Sequence, residues 1–191
     1  MKRSLATILS VALLAGLILT LTTPAAAFGD SLAVPAAGNV GSTAWSFDDV
    51  SQDTWCHDAI VYVYDKGLMK GVDPVTFAPA AALTRAMLVT VIYRLDGLPE
   101  PTGSNPFTDV ADGAYCSKAA IWAAEKGLLS WSTDSAFGPH TPATREQFVV
   151  ALFRYAVLKG YDVSIGEDTN ILSYADAFDI SEGMASAFQW A

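Results

Sequence analysis

The sequence predicts an all-α fold made of tandem helix–loop–helix repeats. Two observations predict it: one segment of the chain occurs twice, sixty residues apart and without a gap, and the apolar residues of each copy recur at helical spacing. Of the 49 positions from Phe47 to Leu95, 14 carry the same residue sixty places further on, where about 3 would be expected by chance. A repeat of this size indicates that copies of one small unit pack against each other.

The first 27 residues are typical of a secretory signal peptide. Two basic residues precede an apolar run, and three alanines follow it. This pattern predicts cleavage between Ala27 and Phe28. The alternative is an uncleaved membrane anchor, for which an apolar run of about 17 residues lies at the short limit. We expect an exported mature chain that has no membrane as a partner after the signal is removed.

The mature chain is strongly acidic. Without the two basic residues of the signal, 9 Lys and Arg remain against 20 Asp and Glu, a net charge of −11. Such a surface repels nucleic acid and anionic lipid, so the composition argues against both as partners. An anionic ligand would need a local cluster of cations.

Each copy is predicted to contain two helices joined by a loop. Apolar periodicity and capping residues set their ends. The predicted helices cover residues 54–66 and 84–95 in the first copy and residues 114–126 and 144–159 in the second. Gly67 follows the first of them, where a left-handed residue commonly ends a helix. In the second copy, Gln147 predicts a capping box with Thr144.

A third copy begins but is not complete. Residues 174–177 resemble the opening of the other copies, and residues 187–191 resemble part of their first helix. We therefore expect a truncated third repeat. The predicted organisation is a signal peptide at 1–27, a flexible lead-in at 28–45, and repeats at 46–105, 106–168 and 169–191.

Two cysteines, Cys56 and Cys116, occupy equivalent positions in the two copies. An exported protein can bridge such a pair. However, equivalent positions around a symmetric core need not bring the Cα atoms within the roughly 4.4–6.8 Å that a disulfide requires. The favoured interpretation is two buried thiols, and a disulfide is the alternative.

The four arginines of the mature chain form two pairs under the sixty-residue shift. Arg85 and Arg145 directly follow the predicted caps Thr84 and Thr144, at the first position of a helix. Free backbone N–H groups and the helix dipole attract anions there, and a guanidinium can hold a carboxylate through two hydrogen bonds. These residues therefore predict a cradle for an acidic group.

A structural role is the alternative for this first arginine pair. Each arginine could instead pair with a nearby aspartate, Asp49 or Asp109, and so tie a loop to a helix. The second pair, Arg94 and Arg154, lies within the helices, where a structural role is favoured.

Trp55 and Tyr115 are equivalent aromatic residues at the start of the first helix of each copy. Aromatic rings often form the floor of a sugar-binding groove. The alternative is that both are core residues of an amphipathic helix.

No catalytic or metal-binding pattern is found in the sequence. The two histidines, His57 and His140, are not equivalent in the two copies, and no nucleophile elbow, P-loop or metal-spaced cluster occurs. We expect no enzymatic activity, no metal and no cofactor.

The order and spacing of these motifs resemble the S-layer homology repeat. The shared motifs are Phe-x-Asp-Val, Lys-Gly-Leu, Phe-x-Pro and Thr-Arg, and the resemblance extends from about Ser46 to Ala191. It implies repeats around a pseudo-threefold axis, with the first helices in a central bundle and the second helices as outward prongs. It also implies a module that anchors exported proteins to the bacterial cell wall by binding secondary cell-wall polysaccharide, commonly at a pyruvylated sugar.

The resemblance assigns ligand binding to the Thr-Arg motif, which in this sequence is Thr84-Arg85 and Thr144-Arg145. The chain departs from the family pattern at Met87 and Gln147, which replace a glutamate, and at Gly183, which replaces an aromatic residue. The leading hypothesis is a non-catalytic, carbohydrate-binding anchor at the cell wall or cell surface. The alternatives are a self-associating structural protein of the surface layer or envelope, and the N-terminal anchor of a truncated exported enzyme.

Overall fold

The structure is a computed structural model that describes residues 47–132, 135–165 and 170–191. In these residues all regular structure is helical and no strand is present, which confirms the all-α class. The signal peptide and lead-in, with the cleavage site at Ala27 and Phe28, lie outside the described residues. The repeat boundaries and the pseudo-threefold arrangement remain predictions.

The described residues contain five α-helices and two short 3-10 helices. The α-helices are α1 (His57–Asp65), α2 (Arg85–Leu95), α3 (Ser117–Glu125), α4 (Arg145–Leu158) and α5 (Ala185–Trp190), and the 3-10 helices Ile171–Ser173 and Ala177–Asp179 precede α5. Helices α1 to α4 lie where the sequence predicts them. Both α1 and α3 begin three residues later than predicted, because a tight turn precedes each of them: the His57 N–H donates to the Thr54 carbonyl, and the Ser117 N–H to the Ala114 carbonyl.

Glycine ends the first helix of each copy, as the sequence predicts. Gly67 and Gly127 follow α1 and α3 with φ of +68° and +65°. Few residues other than glycine adopt this left-handed conformation without strain.

The described residues form two compact units, residues 47–81 and residues 82–191. In the first unit, the Phe47 ring packs edge-on against Tyr64 at 5.5 Å and Phe77 at 5.4 Å between ring centroids. The Asp49 carboxylate accepts hydrogen bonds from the backbone N–H groups of Phe77 (2.9 Å) and Ala78 (2.7 Å). One aspartate thus fixes the loop that follows α1.

In the second unit, α2 packs against α3 and α4, and α4 packs against α5. Trp122 is fully buried between Tyr93 and Tyr155, whose ring centroids lie 5.6 and 6.4 Å from its own. On the other side of α4, Ala187 of α5 packs on Val149 and Val150. Helix α5 therefore shares a core with α4.

Both cysteines are free and buried, which confirms the favoured interpretation of two thiols. Burial raises the pKa of Cys56 and of Cys116. The thiols are therefore protonated at neutral pH and act as small core residues.

Candidate functional site

The start of α2 is closed by the loop that follows Phe137. The closing hydrogen bonds run from the N–H of Arg85 to the Thr141 carbonyl (2.9 Å), from the N–H of Ala86 to the Pro139 carbonyl (3.2 Å), and from the N–H of Ala143 to the Leu83 carbonyl (2.8 Å). The N–H of Met87 donates to the Thr84 hydroxyl, which confirms the predicted cap. The expectation of free N–H groups is therefore wrong at Arg85, because the loop of the second copy already supplies their acceptors.

The guanidinium of Arg85 is half-buried and has neutral partners. Its Nε donates to the Gln147 Oε1 at 3.3 Å, and its Nη1 lies 3.5 Å from the Phe137 carbonyl oxygen. Its Cζ lies 5.8 Å from the centroid of the Trp131 ring, in cation–π geometry. Among the described residues no carboxylate pairs with it. The described partners of the guanidinium are therefore an amide oxygen, a carbonyl oxygen and an aromatic ring, all of them neutral.

The predicted aspartate partners are engaged elsewhere. Asp109 accepts hydrogen bonds from the backbone N–H groups of Phe137 (2.9 Å) and Gly138 (2.8 Å), as Asp49 does in the first copy. The bond from Phe137, with the one from Gly138, lowers the pKa of the Asp109 carboxyl against the opposing effect of its partial burial. Within the part of the chain that the structure describes, the ion-pair interpretation of Arg85 and Arg145 is therefore wrong.

Gly138 makes room for the Arg85 guanidinium. Its φ is +72°, and a Cβ at this position would lie 2.6 Å from Nη1 of Arg85. The equivalent residue of the first copy is Ala78, which has a φ of +61°. The repeat therefore tolerates alanine in this conformation, and the glycine serves the close approach of the arginine.

Tyr115 lies close to Thr84 of α2. The residue is 64% exposed, so the core interpretation is wrong. Partial burial of its hydroxyl raises the pKa of Tyr115, while interaction with the Thr84 side chain and the nearby charge of Arg94 opposes the shift. The structure thus places Thr84 and Arg85 at the start of α2, and Tyr115 interacts with the Thr84 side chain there.

Trp55 belongs to the unit of residues 47–81. It is 59% exposed, so the core interpretation is wrong here too. Both predicted aromatic contacts are thus available to a ligand on the surface of their own unit.

The start of α4 differs from the start of α2. The predicted capping box is confirmed: the Thr144 hydroxyl accepts from the Gln147 N–H at 3.2 Å, and the Gln147 Oε1 accepts from the Thr144 N–H at 3.2 Å. Arg145 is exposed, and among the described residues neither its guanidinium nor the backbone N–H groups of Arg145 and Glu146 have an acceptor. The cradle of free N–H groups that the sequence predicts is therefore present at Arg145.

Arg154, of the second arginine pair, makes the structural contacts that the sequence favours. The guanidinium of Arg154 donates to the carbonyl oxygens of Gly127 (3.2 Å) and Leu129 (2.5 Å), just beyond the end of α3. Arg94 is partly buried, and this burial lowers its pKa. Arg154 therefore ties α4 to the backbone that follows α3.

Sequence reasoning missed three parts of the Arg85 site. Trp131 replaces Gly71 of the first copy, and Gly138 replaces Ala78. The third part is the second contact of Gln147, which joins the cap of α4 to Arg85. The differences between the copies were visible in the sequence, but only the fold shows that they meet at Arg85.

Neither a metal centre nor a membrane helix is found in the described residues. No three His, Cys, Asp or Glu side chains come close enough there to hold a metal ion. None of the helices there has both the length and the apolar character needed to cross a bilayer.

Comparisons with known proteins agree with the repeat. The S-layer homology domain model matches residues 46–86 and 106–149. The chain is 28% identical to an endoglucanase of Bacillus sp. (strain KSM-635) over 78% of this chain and 15% of the relative. It is 28% identical to an amylopullulanase of Thermoanaerobacterium thermosulfurigenes over 65% of this chain and 7% of the relative. It is 32% identical to the S-layer protein sap of Bacillus anthracis over 53% of this chain and 12% of the relative.

The chain spans only a small part of the length of these relatives, 15% or less. These relatives share the repeat region with this chain, although their names describe quite different proteins. The S-layer homology domains and the S-layer protein relatives indicate a secreted protein attached to the cell surface. Residues 46–86 and 106–149 of the chain thus match the S-layer homology domain, in two repeats.

Proposed function

We propose that this protein is a non-catalytic module that anchors to the cell wall by binding an acidic group of a secondary cell-wall polysaccharide. The observation that carries the proposal is the half-buried guanidinium of Arg85, which has only neutral partners among the described residues. The chain has a net charge of −9, so this guanidinium is a local positive charge in a protein whose overall electrostatic potential is negative.

The chemistry of the site favours a carboxylate on a sugar. A guanidinium holds a carboxylate through paired, charge-assisted hydrogen bonds, which are about twice as strong as neutral ones. Tyr115 is an exposed aromatic residue that interacts with Thr84, the neighbour of Arg85, and we propose that its ring contacts a sugar ring. A pyruvate ketal on the terminal sugar combines both features, and it is the ligand that we propose for Arg85.

Arg145 forms a second, more open site. Its helix start keeps free N–H groups that add to the guanidinium. Trp55 is exposed on the separate unit of residues 47–81 and is proposed as a sugar contact there. We propose that Thr84 and Thr144 hold the two helix ends in place and that Arg85 and Arg145 contact the acid.

The relatives support an anchor that works with different partners. Two relatives are named as enzymes and one as an S-layer protein, and each matches this chain over a small fraction of its own length. This distribution is expected of a module that attaches different proteins to one surface.

The experiment compares the double variant Arg85→Ala, Arg145→Ala with the wild-type protein in sedimentation with bacterial wall sacculi. We expect the variant to stay in the supernatant while its circular dichroism shows unchanged helix content. Arg154→Ala is a matched control that removes a guanidinium outside the site, and it should still sediment. Loss of helix content in the double variant, or its continued sedimentation, would contradict the proposed role of the two arginines.

A further inference from the structure

We propose that Trp131 is a positioning residue for the acid-binding site: its indole ring holds the Arg85 guanidinium in the place where it receives the ligand. The inference rests on the proposed function, because it names a further residue of that same site. Trp131 acts through Arg85 and does not itself have to touch the acid.

The Arg85 guanidinium lies over the indole ring of Trp131. Its Cζ is 5.8 Å from the ring centroid, within the distance of about 6 Å at which an aromatic ring attracts a cation. Its hydrogen bonds to Gln147 Oε1 and to the Phe137 carbonyl oxygen are 3.3 and 3.5 Å long, beyond the usual range of about 2.7–3.2 Å. The indole therefore supplies a restraint that these two long hydrogen bonds provide only weakly.

The aromatic core of the second copy does not depend on Trp131. Phe137 is fully buried and packs on Phe107 with the ring centroids 5.3 Å apart. In the first copy Phe77 packs on Phe47 at 5.4 Å, although a glycine stands at the position equivalent to Trp131. The Trp131 ring lies 6.2 Å from the Phe137 ring, and the residue remains partly exposed. Core packing alone therefore does not account for a tryptophan here.

The backbone at Trp131 also differs from the backbone at the equivalent Gly71. Gly71 has a φ of +79°, and a Cβ there would lie 2.6 Å from the Thr76 carbonyl oxygen, so the first copy has no room for a side chain. Among the described residues other than glycine, Ala78 and Leu98 are the ones with a positive φ. Trp131 thus has a different backbone conformation, and that conformation brings a large ring to Arg85.

The indole serves Arg85 and not Arg145. Arg145 is exposed, and in the described part of the chain no ring lies over its guanidinium. A side chain that is ordered before the ligand arrives loses less conformational entropy on binding. Removing the indole should therefore weaken acid binding at Arg85 and leave it unchanged at Arg145, which serves as an internal control.

The test compares Trp131→Leu with Trp131→Phe. Leucine keeps an apolar side chain without a π face, whereas phenylalanine keeps a ring. Sodium pyruvate is titrated into the isotope-labelled protein while the Cζ resonances of Arg85 and Arg145 are followed by NMR. We expect the midpoint at Arg85 to rise about three- to tenfold in Trp131→Leu, the effect of one cation–π contact, and to rise less in Trp131→Phe. The midpoint at Arg145 should stay the same in both variants.

A second tryptophan provides a matched control for the loss of an indole. Trp190 packs edge-on against Phe153 at 5.6 Å between ring centroids, and Trp190→Leu should leave the Arg85 midpoint unchanged. Circular dichroism should show wild-type helix content in both Trp131 variants. Three results would each overturn the inference: an Arg85 midpoint unchanged in Trp131→Leu, an equal rise in Trp131→Phe, or no response of the Arg85 resonance to pyruvate in the wild type.

Sedimentation with wall sacculi separates this inference from the proposed function. The wild type should sediment, and Trp131→Leu should need a higher concentration of sacculi to sediment to the same extent. Equal sedimentation of Trp131→Leu and the wild type would overturn the inference. If the wild type stays in the supernatant while the Arg85 midpoint for pyruvate still rises in Trp131→Leu, the proposed function is wrong and the inference about Trp131 stands.

Discussion

Replacing Gly138 by alanine should weaken ligand binding without unfolding the protein. The added Cβ would lie 2.6 Å from Nη1 of Arg85, whereas carbon and other heavy atoms pack best at about 3.5–4.0 Å. The guanidinium must therefore move by about 1 Å. Its two hydrogen bonds, at 3.3 and 3.5 Å, are already long, so this displacement breaks them.

The expected loss of affinity follows from the hydrogen bonds that a displaced guanidinium would no longer make with the acidic group of the ligand. A hydrogen bond to a charged group contributes about 1.5–3 kcal/mol, and 1.4 kcal/mol is tenfold in affinity. Misplacing the guanidinium should therefore weaken binding by about tenfold or more. The left-handed backbone adds a cost of about 1–2 kcal/mol to folding, which the fold already accepts at Ala78 with a φ of +61°.

Gly127→Ala is the matched control. Gly127 has a φ of +65°, and a Cβ there would meet no atom within 4 Å. Gly138→Ala should lose at least as much free energy of unfolding in urea as Gly127→Ala, because both place an alanine in a left-handed conformation and only the first also displaces Arg85. Only Gly138→Ala should lose affinity for wall sacculi in a binding isotherm. Equal affinities, or an equal loss in both variants, would refute the role given to Gly138.

Three further predictions concern stability. Backbone hydrogen bonds lower the pKa values of Asp49 and Asp109, so both carboxylates stabilise the fold above their usual pKa of 3.8, and this stabilisation is lost as the pH falls below that value. Urea denaturation at a series of pH values from 7 downward should show the loss. The variant Asp109→Asn should show a smaller dependence of stability on pH. Arg154→Met should lower the free energy of unfolding by about 1 kcal/mol, measured by urea denaturation, and no change would contradict the contacts beyond α3. Cys56 and Cys116 should react with a thiol reagent only in denaturant, and fast native reaction would contradict their burial.

Much of the fold follows from the repeat itself. Thr84 and Thr144 cap their helices and Gly67 ends α1. Each of these roles depends only on hydrogen bonds and backbone angles within a few residues, so a short segment of sequence is enough to predict it. The starts of α1 and α3 were predicted three residues too early, since a tight turn can carry the same apolar pattern as a helix.

The site was only partly predictable, because its other half comes from a distant segment. The sequence places Arg85 at a helix start, but it does not show that the Pro139 and Thr141 carbonyls occupy the N–H groups there. It also treats Arg85 and Arg145 as equivalent, whereas the structure gives neutral partners to the first and leaves the second exposed. Contacts between copies, unlike caps within one helix, can be identified only from the three-dimensional arrangement.

Sedimentation of the wild-type protein with purified wall sacculi, before and after chemical removal of the secondary polysaccharide, tests the central claim most directly. Circular dichroism of the same sample establishes that the protein is folded. The account predicts sedimentation with intact sacculi and its loss once the polysaccharide is removed. A folded protein that stays in the supernatant with intact sacculi, or that sediments equally after the polysaccharide is gone, would contradict it.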